Sequence, residues 1–225
     1  MAVLGPPCAH YENYVPDVQP FTDSIWYGVG STLLAGPREP LYFSAVDDGQ
    51  PLRFVGTVEF AGDGDGLAVD PFCECVPGIH TEDLNDLLFR MDDFHPRVIV
   101  YSCGTNNCIR GDDPADIVAS IAEGFDQIAD RVRWNNYRIV LPAILKTLDG
   151  PTDVIVQAAN ALIPAMIAEL PYADKVIYIP EVYASVDAAN MADDFHPNDD
   201  GAVQYAAATW EHGLRAAVIA SRGAT

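Results

Sequence analysis

Short apolar runs alternate with segments of helical period along nearly the whole of this 225-residue chain, and few folds satisfy that pattern. Val18–Phe21, Leu52–Val58, Val98–Cys103, Arg138–Ile144 and Val176–Ile179 read as strands. Pro37–Asp48, Thr81–Met91, Asp113–Val132, Thr152–Leu170 and Asp200–Ile219 read as helices. Strand–helix alternation buries a parallel sheet between two helical layers. The pattern predicts an α/β fold: a three-layer α/β/α sandwich, flavodoxin-like, with about five parallel strands. We expect a single domain over 1–225, with residues 1–17 as an N-terminal extension. In such sheets ligands sit beyond the carboxyl ends of the strands, where the strand order reverses.

Local signals refine this. Asp113-Pro114 is a helix start, with Asp as cap and Pro in the first turn. Thr81 is expected to cap the helix that carries Leu84, Leu87, Leu88 and Met91, with Glu82 and Asp83 in its first turn. Pro164 is expected to bend its helix. Residues 59–77, rich in Gly, Asp and Pro, read as a long loop. Within them Gly62-Asp63-Gly64-Asp65-Gly66 hints at calcium but lacks the EF-hand pattern and its terminal Glu, so it reads as loop.

Charge excludes some partners. Twelve Lys and Arg stand against 33 Asp and Glu, a formal net charge of −21. Such a surface repels phosphate backbones and anionic headgroups, so neither nucleic acid nor membrane is expected as a partner. No apolar stretch approaches the ~20 residues of a membrane span. No basic start followed by a long apolar run marks a signal peptide, so the chain reads as cytoplasmic or as the mature form of an exported protein. The five cysteines are Cys8, Cys73, Cys75, Cys103 and Cys108, with no C-x-x-C pair. They read as free thiols, with a bridge from Cys73 or Cys75 to Cys108 as the alternative.

The chemistry lies just past the strands. Asp23-Ser24 follows the first, Pro77-Gly78-Ile79-His80 leads into a helix after the second, and Gly104-Thr105-Asn106-Asn107 follows the third. Asp193-Asp194-Phe195-His196-Pro197 precedes the last helix. Acyl transfer needs this set: a hydroxyl nucleophile, an imidazole to take its proton, a carboxylate to orient the imidazole and donors for the oxyanion. Taken alone, Ser24 reads first as a helix cap, and Asn106 can be a simple turn former.

The blocks Thr22-Asp23-Ser24-Ile25 with Gly28, Gly78 before a helix, Gly104-Thr105-Asn106 and Asp193-x-x-His196-Pro197-Asn198 resemble, in order, those of SGNH (GDSL-like) serine hydrolases. Arg38, Pro40-Leu41 and Phe54-Val55-Gly56 resemble the branch near carbohydrate esterase family three, the acetylxylan esterases. The resemblance runs over residues 18–220. It implies Ser24 as nucleophile, His196 as general base and Asp193 as its orienting acid. It implies an oxyanion hole from the N–H groups of Ser24 and Gly78 and the amide of Asn106, and calls for no cofactor or metal. The implied substrate is a small-molecule or carbohydrate acyl ester, an acetylated sugar first. Acyltransferase or thioesterase chemistry on the same fold is one alternative, and a non-catalytic carbohydrate- or partner-binding module is another.

Two positions depart from the family pattern. Thr22 stands where Gly is usual, which matters only if its backbone is left-handed. Asn107 stands where Asp usually supports the loop. Asp-Asp-Phe-His-Pro also occurs twice, at 92–96 and 193–197. His95 leads into the amino end of a strand, away from the rim, so His196 is the expected base. His80 either lines the cleft or is a solvated helix-start residue.

Overall fold

The computed structural model describes residues 15–32, 34–58, 72–132 and 136–222. The N-terminal extension before residue 15, residues 59–71 of the expected loop and the Gly62–Gly66 run lie outside the described residues.

Among the described residues six strands form one sheet: β1 (Asp17–Thr22), β2 (Arg53–Phe54), β3 (Glu74–Cys75), β4 (Val98–Ser102), β5 (Arg138–Pro142) and β6 (Val176–Ile179). Every ladder is parallel. β4, β5 and β6 follow one another on one side of β1. On the other side β2 and β3 share a single edge: Asp17 and Val18 pair with Arg53 and Phe54, Phe21 and Thr22 with Glu74 and Cys75. The six strands thus fill five positions, and the order reverses between β1 and β4. The strand expected over 52–58 pairs only at Arg53–Phe54 because the chain turns away. Thr57 gives its N–H (2.7 Å) and hydroxyl (2.8 Å) to the buried Glu74 carboxylate, and Val58 bridges Cys73 antiparallel. β3 itself lies in what reads as loop.

Helices cover both faces: α1 (Ser24–Tyr27), α2 (Arg38–Asp47), α3 (Thr81–Asn85), α4 (Met91–Phe94), α5 (Thr105–Arg110), α6 (Pro114–Arg131), α7 (Gly150–Glu169), α8 (Asp199–Thr209) and α9 (Arg215–Arg222). Alternation along β4 sorts the core. Val98 and Val100 join Trp26, Leu41, Tyr205 and Leu214 on one face. Ile99 and Tyr101 join Leu84, Phe125 and Ile163 on the other. Each large side chain so buried contributes about 1.5–3 kcal/mol.

Several elements differ from expectation. Thr81 is not a cap. His80 precedes the helix, while the Thr81 N–H and hydroxyl both go to Asn107 Oδ1, at 2.9 and 2.7 Å. The expected Thr81–Met91 helix stops at Asn85 and resumes as a 3₁₀ turn, Leu88–Arg90, and α4. Asp113 caps α6 as expected, accepting from Ala115 N–H at 2.8 Å. α7 starts at Gly150 behind the cap Asp149 and runs continuously through Pro164. By length and composition α7 is apolar enough to cross a membrane, contrary to the sequence expectation. Here its buried Val156, Ala159 and Ile163 pack in the core. The last helix contains a π turn, Trp210–Leu214, between α8 and α9.

Cys73 and Cys75 form a disulfide, and Cys103 and Cys108 are free and buried. The reading of free thiols holds for Cys103 and Cys108 and is corrected for Cys73 and Cys75, which pair with each other and not with Cys108; Cys8 lies outside the described residues. Residues two apart on extended chain face the same way, and Cys73 and Cys75 lie in one core cluster while Cys108 lies in the other.

Candidate active site

Ser24 begins α1 directly after β1, at the carboxyl rim of the sheet. Asp23 caps this single turn by accepting from Ile25 N–H at 3.0 Å, and Gly28 closes it at φ 94°. The buried guanidinium of Arg38 holds the turn from below. Its Nε donates to Trp26 O at 3.1 Å and a second nitrogen to Leu34 O at 3.0 Å. Burial pushes the Arg38 pKa down to about 10, so it remains a cation at neutral pH.

Asp193 and His196 reach Ser24 from the loop before α8. His196 Nε2 lies 2.8 Å from Ser24 Oγ. His196 Nδ1 lies 2.8 and 3.0 Å from the two Asp193 oxygens. Asp193 Oδ1 also accepts the N–H groups of Phe195 (2.7 Å) and His196 (2.8 Å), so one carboxylate shapes the loop and orients the ring. Desolvation raises the Asp193 carboxyl, but the hydrogen bonds from the His196 ring and these two amides outweigh it and hold the pKa below the usual range. The neighbouring Asp194 lends its carbonyl to Leu148 N–H at 2.8 Å.

Gly78 and Asn106 come from the next two loops. Gly78 has φ 78°, and a Cβ there would meet nothing within 4 Å, so the backbone borders open space. Asn106 Nδ2 donates to Ile79 O at 2.9 Å, which ties the third block to the residue after Gly78. His80 lies 3.6 Å from Asp83 in an ion-pair arrangement. His95 closes α4 at φ 52°, at the amino end of β4 and the opposite rim from Ser24.

Both departures from the family pattern have physical explanations. Thr22 is the last residue of β1, in extended backbone, and its hydroxyl lies 3.0 Å from Cys75 Sγ. Asn107 accepts twice from Thr81, as an Asp would, but its amide donates to Glu82 and Asp112, each at 2.9 Å. Arg110 bridges those two carboxylates. An Asp at 107 would be a third carboxylate in this cluster, and an amide donor removes the repulsion.

Sequence reading missed the polar layer beneath Ser24. Asp23 is 1% exposed, and burial pushes its carboxyl up to about 6, against the Ile25 N–H, the charge of His196 and the Thr105 hydroxyl. Tyr205 OH accepts from Trp26 Nε1 and meets Ser102 Oγ, both at 3.2 Å. The only advance signal was the Asp immediately before Ser24. Apart from Ile25 and Trp26, the partners lie 79 to 182 positions further on, from Ser102 to Tyr205.

Residues 23–203 match the model of the GDSL-like lipase/acylhydrolase family. The chain belongs to that family. As a GDSL-like acylhydrolase it is a carboxylic ester hydrolase. Its fold is similar to that of a family 3 carbohydrate esterase from Clostridium thermocellum (TM-score 0.74, 17% identity, 91% of this chain and 98% of that one). It is also similar to a family 3 carbohydrate esterase from Talaromyces cellulolyticus (0.70, 18%, 86% and 94%). A third similar structure is a psychrotrophic esterase from Pseudoalteromonas sp. inhibited by monoethylphosphonate (0.64, 10%, 88% and 96%). No curated protein matches this GDSL-like chain in sequence.

Proposed function

We propose that this chain, as one domain, hydrolyses short-chain acyl esters, acetyl esters first, through an acyl-Ser24 intermediate. The observation that carries the reading is the chain of contacts Ser24 Oγ to His196 Nε2 (2.8 Å) and His196 Nδ1 to Asp193 (2.8 Å). In this reading Ser24 Oγ bonds to the acyl carbon as its proton passes to His196 Nε2, and the carbonyl π electrons move onto oxygen. Collapse expels the alcohol oxygen, which takes the proton from His196. Water then repeats the sequence on the acyl-enzyme. Asp193 stays ionised and fixes the ring tautomer. The oxyanion would be held by the N–H groups of Ser24 and Gly78 and by Asn106, whose amide spends one N–H on Ile79 O and keeps the other. Loss of one such donor typically costs about 2.7–4 kcal/mol.

The sequence resemblance to family-three esterases and the two carbohydrate esterases of like fold make an acetylated carbohydrate the substrate class to test first. Transfer to an acceptor other than water would use the same acyl-Ser24, and product analysis separates the two. The experiment is p-nitrophenyl acetate turnover with fluorophosphonate labelling read by mass spectrometry. Ser24→Ala should abolish turnover and adduct while leaving the fold intact. His196→Gln should lower kcat by at least about 10²-fold, whereas His95→Gln should leave it unchanged. The reverse result for the two histidines would assign the base to the other rim, and no turnover with no adduct would favour a binding module.

A further inference from the structure

The loop that leaves α1 packs directly on the loop that carries His196. Gly30 has φ 93°, and a Cβ there would stand 2.7 Å from Pro197 O, 3.0 Å from Ala192 Cβ and 3.1 Å from His196 Cβ. Two residues on, Thr32 makes a two-point clamp to the first residue of α8. Its N–H lies 2.8 Å from Asp199 Oδ1 and its hydroxyl 2.5 Å from Asp199 Oδ2. On the Ser24 side, Ser24 O accepts the N–H groups of Gly28 and Val29, each at 3.0 Å, so the loop begins rigidly at the nucleophile. On the far side of the His196 loop, Ala192 N–H donates to His196 O at 2.7 Å and Asn198 N–H to Asn190 O at 2.9 Å. The His196 loop is thus held by its own hydrogen bonds, and Gly30 is a point of close backbone approach between it and the segment that follows Ser24.

We propose that Gly30, together with the Thr32–Asp199 clamp, is a positioning device that sets the distance between the His196 imidazole and Ser24 Oγ. The inference rests on the Ser24–His196 reading above. A side chain at 30 would have to push the Pro197 carbonyl and the His196 Cβ outward. Loss of the clamp would let the two segments part by the same motion. A shift of about 1 Å at a reacting pair is enough to cost about 10²-fold in rate.

The test compares wild type, Gly30→Ala, Thr32→Val and Thr32→Ser in p-nitrophenyl acetate turnover, with the rate of fluorophosphonate labelling of Ser24 and a melting curve for each. Gly30→Ala should lower kcat by about 10²-fold and Thr32→Val by about 10-fold. KM should stay within about twofold if the device acts only on the alignment of the reacting pair. Labelling should slow in proportion to kcat, and Thr32→Ser, which keeps both hydrogen bonds, should restore the rate. Should Gly30→Ala fail to fold, the Thr32 pair decides. A folded Thr32→Val with wild-type kcat, or a loss that Thr32→Ser does not recover, would overturn the proposal while leaving the Ser24 reading standing. Full turnover by Ser24→Ala would overturn the reading itself and this inference with it.

Discussion

Asp23 occupies a costly position. Its carboxyl is fully buried, one residue before the nucleophile, and its pKa rises from 3.8 to about 6. Between roughly pH 4 and pH 6 the folded chain therefore holds a proton that the unfolded chain has lost. Stability falls as pH rises through that window, and the whole cost is present above about pH 6. A shift of this size corresponds to about 3 kcal/mol. Asp23→Asn keeps an acceptor for Ile25 N–H and removes the charge. We expect it to melt above wild type at pH 8, with the gap closing by pH 4. An equal gap at both pH values would show that the carboxyl is not the origin. In the proposed mechanism the charge is retained because it faces His196, where an imidazolium forms during acyl transfer. Individual residues of the site were partly legible in the sequence. Ser24 and His196 lie 172 positions apart and meet at 2.8 Å, and each was singled out in the sequence because its block carries its own local signature. Asn107 was not legible, since its amide answers Glu82 and Asp112, which meet only in the fold.

Among the elements, α6 depends on one missing side chain. A Cβ at Gly124 would stand 2.3 Å from Asn85 Oδ1 and 2.9 Å from Tyr101 OH. Those two atoms are hydrogen-bonded at 2.7 Å, and Asn85 Nδ2 donates to Ser120 O at 2.8 Å, stitching α3 to α6 through β4. Gly→Ala inside a helix normally stabilises by about 0.5–1 kcal/mol. Here overpacking should reverse the sign, so Gly124→Ala is expected to lose about 1–3 kcal/mol in urea unfolding. A stabilised variant would show that α3 yields freely. The apolar period and the Asp113-Pro114 start made α6 readable in advance. The spacing of Leu84, Leu87, Leu88 and Met91 suits a helix whether or not it is interrupted, so the break after Asn85 was invisible. What draws Thr81 out of a capping role is Asn107, 26 positions away.

For the whole molecule the net charge of −21 is the dominant long-range term. Self-repulsion of that size destabilises the compact state, and salt screens it. The melting temperature should therefore climb as NaCl is raised from about 0.05 M to about 1 M. A fall would mean that surface pairs such as Arg53–Asp17 and Arg215–Asp48 outweigh the repulsion. At this scale the sequence was most informative, because the continuous apolar runs of β4 and β5, set between segments of helical period, mark strands buried on both faces without knowing any partner. The edge beyond β1 was the exception: two-residue strands carry no period. That edge also bears on how the nucleophile is held. β2 and β3 meet β1 separately, and Val58 and Cys73 pin the base of the span between them. These contacts and the five-residue ladder to β4 tether β1 on both sides, so the strand that leads into Ser24 is held by two independent attachments.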